Sequence, residues 1–303
     1  MYGVVDIGSN TIRLVIYHVH GNKIQKAVNK KYMVGLAGYI TDEGEMTKFG
    51  VAKLIDTLKD IQLLLESIHV QKLFMFATAS LRNIKNTEKV LDQVKEETGF
   101  DIRILSGSEE AEYGYYGLLL EGARPTGIDI DVGGGSTELV LFNNSKIEFE
   151  ASIPLGSLVL FDEYVSKIVP KKKEAQAIRN AMERKLCEFE FPQKRSTDTL
   201  FVEGGSGRAT LKLLRQKYPD AIRGNTYNVR YLRNFLNFYF EEKEECTRLI
   251  LKTSPDRIHT AIPGMIAIDT VVDHFDSNTI TTISNGVREG FLWHMLNEEE
   301  TNT

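Results

Sequence analysis

The sequence predicts an α/β protein made of two similar halves that face a common cleft. The first observation is an internal repeat, because residues 6–17 read DIGSNTIRLVIY and residues 131–142 read DVGGGSTELVLF. In both stretches an apolar run ends at an aspartate (Asp6 or Asp131), turns through small residues and leaves in another apolar run. The second observation is that each repeat opens a similar series of strands and helices. Together they indicate a pseudo-twofold molecule.

The first half is predicted to have the order βββαβαβα. Three strands open it, and their last two are joined by a hairpin turn at Gly21-Asn22, a pair typical of such turns. Apolar residues at helical spacing follow between residues 46 and 68. The predicted strands are residues 3–7, 11–20, 23–34, 72–77 and 101–106, and the predicted helices are residues 46–68, 86–98 and 108–120.

The second half repeats the opening and then becomes richer in helix. Its first three strands are predicted at 127–132, 136–142 and 145–152, and two further strands near 199–203 and 279–283. Helices are predicted at residues 155–166, 172–188, 208–217, 228–252, 261–274 and 286–297.

Glycine and proline residues mark the predicted boundary between the two halves. The stretch from Gly122 to Gly127 contains Pro125 and is typical of a linker. We therefore expect an N-terminal domain over residues 1–124 and a second domain over residues 125–285. The C-terminal helix, residues 286–303, is a candidate to pack back onto the first domain.

Composition narrows the class of protein. The chain has 303 residues, of which 42% are hydrophobic and 26% charged, and a net charge of −5, which argues against a nonspecific nucleic-acid partner. Its two cysteines form no C-x-x-C pattern, so a reducing compartment and hence the cytoplasm are expected. No signal peptide is visible and no apolar run reaches the ~18 residues of a membrane helix, so no membrane association is predicted.

Three glycine turns are candidates for phosphate binding. Such turns expose successive backbone N–H groups, and glycine lets a ligand approach the backbone closely. A single turn of this kind is more often only a tight hairpin, but a repeat that keeps Asp and Ser or Thr favours a ligand. The predicted phosphate-binding residues are Gly8, Ser9, Asn10 and Thr11 in the first turn, Gly133, Gly134, Gly135, Ser136 and Thr137 in the second, and Gly205, Ser206, Gly207 and Arg208 in the third.

Carboxylates beside these turns predict a metal ion. An aspartate at the end of a buried strand would repel a bound phosphate unless a cation lay between them. Mg²⁺ prefers carboxylate, water and phosphate oxygens, so Asp131 and, less directly, Asp6 are expected to help bind Mg²⁺ or another divalent cation.

Seven motifs, taken in order, resemble the exopolyphosphatase / guanosine pentaphosphate phosphohydrolase family. They are DIGSNTIRLVIY, ATASLRN, LSGSEEAEYGYYG, DVGGGSTELV, EGGSGRAT, SPDRIHTAIPG and NGVREGFLW, and they extend from Asp6 to about Trp293. The resemblance implies two actin-like domains of the actin, Hsp70 and sugar-kinase superfamily around a central cleft.

The resemblance also implies roles for individual residues. Glu110 is the second glutamate of the motif S-G-x-E-E-A, in which the family's catalytic carboxylate lies, whereas Ser106 and Glu109 fit a helix capping box. Arg82 is expected on the phosphates, where a guanidinium can make two parallel hydrogen bonds. Glu138 is expected to contact the metal or the attacking water, with an exposed edge charge as the alternative.

These expectations add up to a Mg²⁺-dependent hydrolase that releases terminal phosphate from inorganic polyphosphate. The nearest alternative is the same chemistry on guanosine pentaphosphate, and more distant ones are a kinase of the same superfamily or an inactive polyphosphate sensor. Gly35-Leu36-Ala37 stands where relatives often carry Arg-Leu-Gly, and the loss of an arginine that could hold a nucleotide's distal phosphates favours polyphosphate over guanosine pentaphosphate. The sequence also ends without the helical extension of longer members, which favours shorter polyphosphate chains. A homodimer and a monovalent cation are further candidates that the sequence does not decide.

Overall fold

The computed structural model describes residues 1–21, 23–122, 126–191 and 198–301. Its contacts divide the chain into two compact units, the first made of Met1–Glu110 with Phe291–Thr303 and the second of Ala111–Gly290. The domain boundary predicted at residues 124–125 and Asn22 of the predicted hairpin turn lie outside the described residues.

The first unit contains the strands and helices that open the chain. Its strands are β1 (Tyr2–Ile7), β2 (Thr11–His20), β3 (Lys23–Met33), β4 (Lys72–Ala77) and β5 (Arg103–Ile104). Its helices are α1 (Lys48–Glu66), α2 (Ala79–Arg82) and α3 (Thr87–Thr98), and it also holds the start of α4 (Gly107–Leu120).

The described strands of this unit form a sheet in the order β3-β2-β1-β4-β5. β1 pairs antiparallel with β2 and parallel with β4, so the carboxyl ends of β1 and β4 lie at the same edge. Buried aliphatic side chains of β1, β2 and α1, such as Ile7, Leu14 and Leu58, form the core that holds the sheet against the helices. This edge is where the first glycine turn and the motif ATASLRN meet.

The described part of the second unit contains more helices than that of the first. Its strands are β6 (Gly127–Val132), β7 (Thr137–Asn143), β8 (Lys146–Ile153), β9 (Thr199–Glu203), β10 (Thr226–Asn228) and β11 (Thr279–Thr282). Its helices are α5 (Ser157–Tyr164), α6 (Lys172–Leu186), α7 (Gly204–Lys217), α8 (Val229–Glu241), α9 (Lys243–Thr253), α10 (Ala261–Phe275) and the start of α11 (Val287–Thr301).

The second sheet repeats the plan of the first. Its order is β10-β11-β9-β6-β7-β8, in which β8-β7-β6-β9-β11 corresponds to β3-β2-β1-β4-β5. β6 pairs antiparallel with β7 and parallel with β9, as β1 does with β2 and β4. Helix α10 is buried along almost its whole length and lies at the centre of this unit's core. The predicted fold class is therefore confirmed: an α/β protein of two actin-like units.

Several local predictions were wrong. Helix α7 begins at Gly204 and not at residue 208, so the third glycine turn, residues 204–207, forms the first turn of that helix. The short helix α2 was not predicted. Residues 228–252 form two helices, α8 and α9, because the backbone of Glu242 leaves the helical region with φ −120° and ψ 55°. The short strand β10 was not predicted, since only Tyr227 of its three residues is buried and no alternation is visible in so short a segment. In the described part of the chain no helix is long and apolar enough to cross a membrane.

Candidate active site

The repeated turns have the same backbone geometry in both units. The Gly8 N–H donates to the Thr11 carbonyl at 3.0 Å, and the Gly133 N–H donates to the Ser136 carbonyl at the same distance. A Cβ at either glycine would crowd that carbonyl oxygen, which explains the glycine at both positions. The internal repeat read from the sequence is thus a repeat of structure, and it presents two equivalent turns at the ends of β1 and β6.

A serine hydroxyl from the helix that follows the neighbouring parallel strand, α2 or α7, supports each turn. The Ser80 Oγ donates to the Ile7 carbonyl at 2.8 Å, and the Ser206 Oγ donates to the Val132 carbonyl at 2.6 Å. Ile7 and Val132 are the last residues of β1 and β6, so the motifs ATASLRN and EGGSGRAT occupy equivalent places. The third glycine turn is therefore the second unit's counterpart of ATASLRN, an equivalence that the sequence did not reveal.

In the first unit the structure brings Arg82 and Glu110 together. Arg82 lies at the end of α2, and its Nη1 donates to the Glu110 carboxylate at 2.8 Å and to the Leu105 carbonyl at 2.8 Å. The side chains of Arg82 and Glu110 are 18% and 12% exposed. A guanidinium has five N–H donors, so Arg82 can orient Glu110 and still bind an anion.

Glu109 has the structural role predicted for it. The Glu109 N–H donates to the Ser106 Oγ at 3.1 Å, and the Ser106 N–H donates to the Glu109 carboxylate at 2.8 Å, which is a complete capping box at the start of α4. The second Glu109 oxygen accepts from Arg103 at 2.6 Å. Glu109 is thereby committed to the cap, and Glu110 takes no part in it.

In the second unit Asp131 and Glu138 lie directly opposite each other. They are paired in register on the antiparallel strands β6 and β7, so their side chains share one face of the sheet. Glu138 is 3% exposed and accepts a hydrogen bond from Ser152 at 2.8 Å. The alternative of an exposed edge charge at Glu138 was wrong.

The equivalent pair in the first unit has a different charge. Asp6 lies opposite Arg13, a cation, in the register that places Asp131 opposite Glu138. Among the described residues no three His, Cys, Asp or Glu side chains are grouped so that they could hold a metal ion. Asp131 and Glu138 fit the mode in which Mg²⁺ takes one or two carboxylates together with water and phosphate oxygens, while Asp6 fits it less well.

The third turn is packed tightly by two charged side chains. Gly204 has φ +72°, and a Cβ there would overlap the Asp131 carboxylate, while a Cβ at Gly205 would overlap the Arg257 guanidinium. Burial lowers the pKa of Arg257, against the opposing charges of Asp256 and Asp131, yet an arginine remains protonated in proteins. Arg257 thus brings a buried positive charge to this turn.

Arg257 was not among the residues predicted for the site. The sequence places it in SPDRIHTAIPG, and an arginine in such a motif is as consistent with a structural ion pair as with a role in the site. The signal that could have found it is the motif itself, together with the glycine that its side chain requires at position 205.

A pair of buried carboxyl groups lies beside the same turn. Asp129 on β6 and Glu203 on β9 are each 2% exposed, and their side chains hydrogen-bond to each other, which requires a shared proton. Burial raises the pKa of Glu203 well above its ordinary value, and the neighbouring charges of Asp129 and Asp131 raise it further. The sequence analysis did not identify this pair, because nothing local distinguishes it from other strand residues.

The fold and the duplicated turns define a class, the α/β proteins with two actin-like units. Within that class, the family model described as the Ppx/GppA phosphatase family matches residues 15–299, so the chain belongs to the Ppx/GppA phosphatase family.

Similar proteins include mycobacterial exopolyphosphatases. Exopolyphosphatase 1 of Mycobacterium tuberculosis (strain H37Rv) is 30% identical over 189 residues, which cover 61% of this chain and 55% of that protein. Exopolyphosphatase 1 of Mycobacterium leprae is 23% identical over 310 residues, covering 99% of this chain and 91% of the relative. The matched region thus spans about half the length of the first of these relatives.

Solved structures agree on the fold. The Aquifex aeolicus member of the Ppx/GppA family superimposes with a TM-score of 0.81 at 22% identity, covering 98% of both chains. An exopolyphosphatase from Cytophaga hutchinsonii gives the same values.

Proposed function

We propose that this chain is a Mg²⁺-dependent exopolyphosphatase that releases terminal orthophosphate from inorganic polyphosphate. The observation that carries the proposal is the pair of equivalent glycine turns, each closed by the same N–H to carbonyl hydrogen bond at 3.0 Å. Membership of a phosphatase family and the similarity to proteins named exopolyphosphatase support the same conclusion.

The first unit supplies the base and a phosphate ligand. Glu110 accepts a proton from the attacking water. At the same time the oxygen of that water bonds to the terminal phosphorus, and the bond from this phosphorus to the bridging oxygen breaks. The electron pair of that bond stays on the bridging oxygen of the shortened chain. Arg82, hydrogen-bonded to Glu110, orients this carboxylate and neutralises charge on the transferring phosphoryl group.

The second unit supplies the metal ligands and further phosphate contacts. Asp131 and Glu138 would hold Mg²⁺, which when bound neutralises phosphate oxygens and lowers the repulsion that the attacking water meets. The turn residues Gly133 to Ser136 and Gly205 to Arg208 bind phosphate oxygens, and buried Arg257 adds positive charge beside Gly205. Thr137, also predicted to bind phosphate, is fully buried and its hydroxyl donates to the Leu155 carbonyl at 2.8 Å, so it supports the turn instead.

A direct competition assay tests the substrate. Long polyphosphate, tripolyphosphate and guanosine pentaphosphate are offered in one reaction with Mg²⁺, and orthophosphate release and loss of each substrate are followed. We expect polyphosphate to be consumed with the higher kcat/KM. Faster consumption of guanosine pentaphosphate would replace the proposed substrate, and transfer of phosphate to an organic acceptor would replace hydrolysis with kinase chemistry.

A second measurement tests the metal. Asp131→Asn removes the charge that a hard cation needs, so the Mg²⁺ concentration for half-maximal activity is expected to rise about tenfold. An unchanged midpoint would remove Asp131 from the metal site. The cytoplasmic location, a homodimer and a monovalent-cation requirement stay predictions.

A further inference from the structure

The start of helix α5 holds the second glycine turn from behind. The Gly133 carbonyl accepts two hydrogen bonds from Ser157, one from its N–H at 2.8 Å and one from its Oγ at 2.9 Å. The Gly134 carbonyl accepts from the Leu158 N–H at 3.0 Å and from the Val159 N–H at 3.2 Å. The first N–H groups of a helix have no partner inside the helix, and α5 uses three of them on this turn.

The contact between α5 and the turn requires a close approach of two backbones. A Cβ at Gly156 would overlap the Gly134 carbonyl, which explains the glycine that precedes the helix. Ser157 is 2% exposed, and because Gly156 is the N-cap of α5, the serine hydroxyl is not needed to cap the helix. The hydroxyl of Ser157 is therefore committed to the turn.

These hydrogen bonds fix the direction of two N–H groups of the turn. A peptide unit is planar and trans, so its carbonyl and its N–H point in opposite directions. The Gly133 carbonyl belongs to the same peptide unit as the Gly134 N–H, and the Gly134 carbonyl to the same unit as the Gly135 N–H. Because α5 holds both carbonyls, both N–H groups are turned away from it. The two glycines are half-buried, and neither N–H donates to any of the described residues.

The same hydrogen bonds also make these N–H groups better donors. Hydrogen bonds that follow one another through a peptide unit polarise it, so a carbonyl that accepts strengthens the N–H at the other end. The partial positive charge at the N-terminus of α5 acts in the same direction. Donors that are already fixed lose little freedom when an anion binds. The second turn thus presents two preorganised N–H donors, and the one at Gly134 depends on Ser157.

The first unit supports its own turn in a different way. The Asn10 carbonyl accepts from the N–H groups of Val34 and Gly35 at 3.2 and 3.0 Å, and the Ser9 carbonyl accepts from the Ala37 N–H at 3.0 Å. These donors follow β3 in the chain, as α5 follows β8. The support in the first unit comes from the main chain, whereas the second unit adds a serine hydroxyl.

We propose that Ser157 is a positioning residue for phosphate binding, which holds the Gly133 carbonyl so that the Gly134 N–H donates to a phosphate oxygen of the substrate. This inference rests on the proposed function and deepens it, because it assigns the main-chain contacts of the turn to Gly134 and Gly135. The Gly133 N–H is already used to close the turn on the Ser136 carbonyl. Ser157 acts through the turn and does not touch the substrate.

NMR of the wild-type protein tests the direction of the two N–H groups. Glycine amide resonances are followed while a tripolyphosphate analogue is added with Mg²⁺. The analogue carries methylene groups in place of the bridging oxygens, so that no turnover occurs. We expect the amide proton resonances of Gly134 and Gly135 to shift as the analogue saturates the protein. A Gly134 resonance that does not respond at saturation overturns the proposal, and this measurement does not depend on how any variant folds.

Ser157→Ala removes only the hydroxyl and tests its role in the same titration. We expect the shift of the Gly134 resonance at saturation to become smaller, because one of the two hydrogen bonds to the Gly133 carbonyl is lost. The shift of Gly135 should persist, since main-chain N–H groups of α5 still hold the Gly134 carbonyl. A general loosening of the unit would reduce both shifts alike, and that outcome would overturn the proposal.

Steady-state kinetics on tripolyphosphate provides the second test, with Thr270→Val as the control. Thr270 is 1% exposed and its Oγ1 donates to the Ile266 carbonyl at 2.7 Å on α10, so the control also loses one buried hydroxyl hydrogen bond. Ser157→Ala should raise KM about two- to tenfold, the effect of one hydrogen bond, and leave kcat within about twofold. Thr270→Val should keep both constants. Equal behaviour of the two variants, or a loss confined to kcat, overturns the proposal.

The two measurements together separate this inference from the proposed function. If the wild-type protein hydrolyses polyphosphate but Ser157→Ala behaves like Thr270→Val, only the role of Ser157 fails. If the analogue shifts the Gly134 resonance and Ser157→Ala reduces that shift, but no orthophosphate is released from polyphosphate, Ser157 stands as a positioning residue of a phosphate-binding turn and the hydrolase proposal fails.

Discussion

The two units share a topology but differ in what they bury beside the repeated turn. In the first unit, Val4 on β1 and Phe76 on β4 are fully buried, and Phe76 packs edge-on against Phe291 at 4.8 Å between ring centroids. The strand registers place Asp129 and Glu203 at the equivalent positions of the second unit. An apolar pair in one unit is thus an acidic pair in the other.

This difference shows that the fold does not require the acidic pair. Buried carboxyl groups destabilise a protein unless they are hydrogen-bonded, and the first unit avoids that cost with hydrocarbon side chains. The second unit leaves room for Glu203 only by having glycine at two neighbouring positions, since a Cβ at Gly114 or at Gly286 would overlap its carboxyl oxygens. Such a costly arrangement beside Asp131 and the third turn indicates selection for the site rather than for stability.

The largest expected effect is a loss of turnover when the base assigned to the first unit is replaced. Glu110→Gln keeps the shape of the side chain but cannot accept the proton of water, so kcat is expected to fall about 10²–10⁴-fold while substrate binding remains. The matched control is Glu109→Gln, which weakens the capping box and is expected to cost up to ~1 kcal/mol of unfolding free energy. Steady-state kinetics and thermal unfolding of both variants measure this contrast. The reverse pattern would move the base to Glu109.

A smaller effect should separate the third glycine turn of the second unit from the equivalent connection in the first unit, which is the motif ATASLRN. Gly204 has φ +72°, whereas Thr78, in the equivalent strand-to-helix connection of the first unit, has φ −112°. Gly204→Ala forces an unfavourable backbone and pushes a methyl group into Asp131, so we expect a loss of about 1–3 kcal/mol in unfolding free energy. Thr78→Ala needs no backbone change and should cost less than about 1 kcal/mol, because its side chain makes no capping hydrogen bond.

Denaturant unfolding of these two variants gives the comparison directly. Equal losses in both would mean that the left-handed glycine in the second unit is not what distinguishes the turns.

The smallest effect concerns the pH dependence of stability. Because the pKa of Glu203 is higher in the folded chain than its ordinary value near ~4, folding takes up a proton. The stability that this proton confers is fully present below the ordinary pKa and is lost as the pH rises toward the raised value. The wild-type free energy of unfolding should therefore decrease from about pH 5 to pH 8.

Glu203→Gln should flatten this decrease, because the amide stays neutral and can still donate to Asp129. Each unit of pKa difference corresponds to about 1.4 kcal/mol, which sets the scale of the change. Unfolding curves at several pH values, with the exposed Glu163→Gln as the control, provide the measurement. Identical pH slopes for the wild type and Glu203→Gln would contradict the shared proton.

Sequence alone determined the features that depend on neighbouring residues. The repeated turn, the capping box of Ser106 and Glu109, and the α/β class follow from hydrogen bonds and periodicities within a few residues, and all three are observed. The break between α8 and α9 was missed because both helices have apolar residues in the same periodic pattern, and only the backbone of Glu242 interrupts it.

Only the tertiary structure decided which distant side chains meet. The Arg82–Glu110 ion pair, the shared proton of Asp129 and Glu203, and the packing of Arg257 against Gly205 join residues that the chain order does not relate. The Asp129–Glu203 pair depends on β6 and β9 being neighbours in the right register, because a one-residue shift would turn a strand's side chains to the opposite face. The other two contacts depend on how helices and turns pack beside the sheets. The residue types were visible in the sequence, whereas their partners were set by the packing of the whole unit.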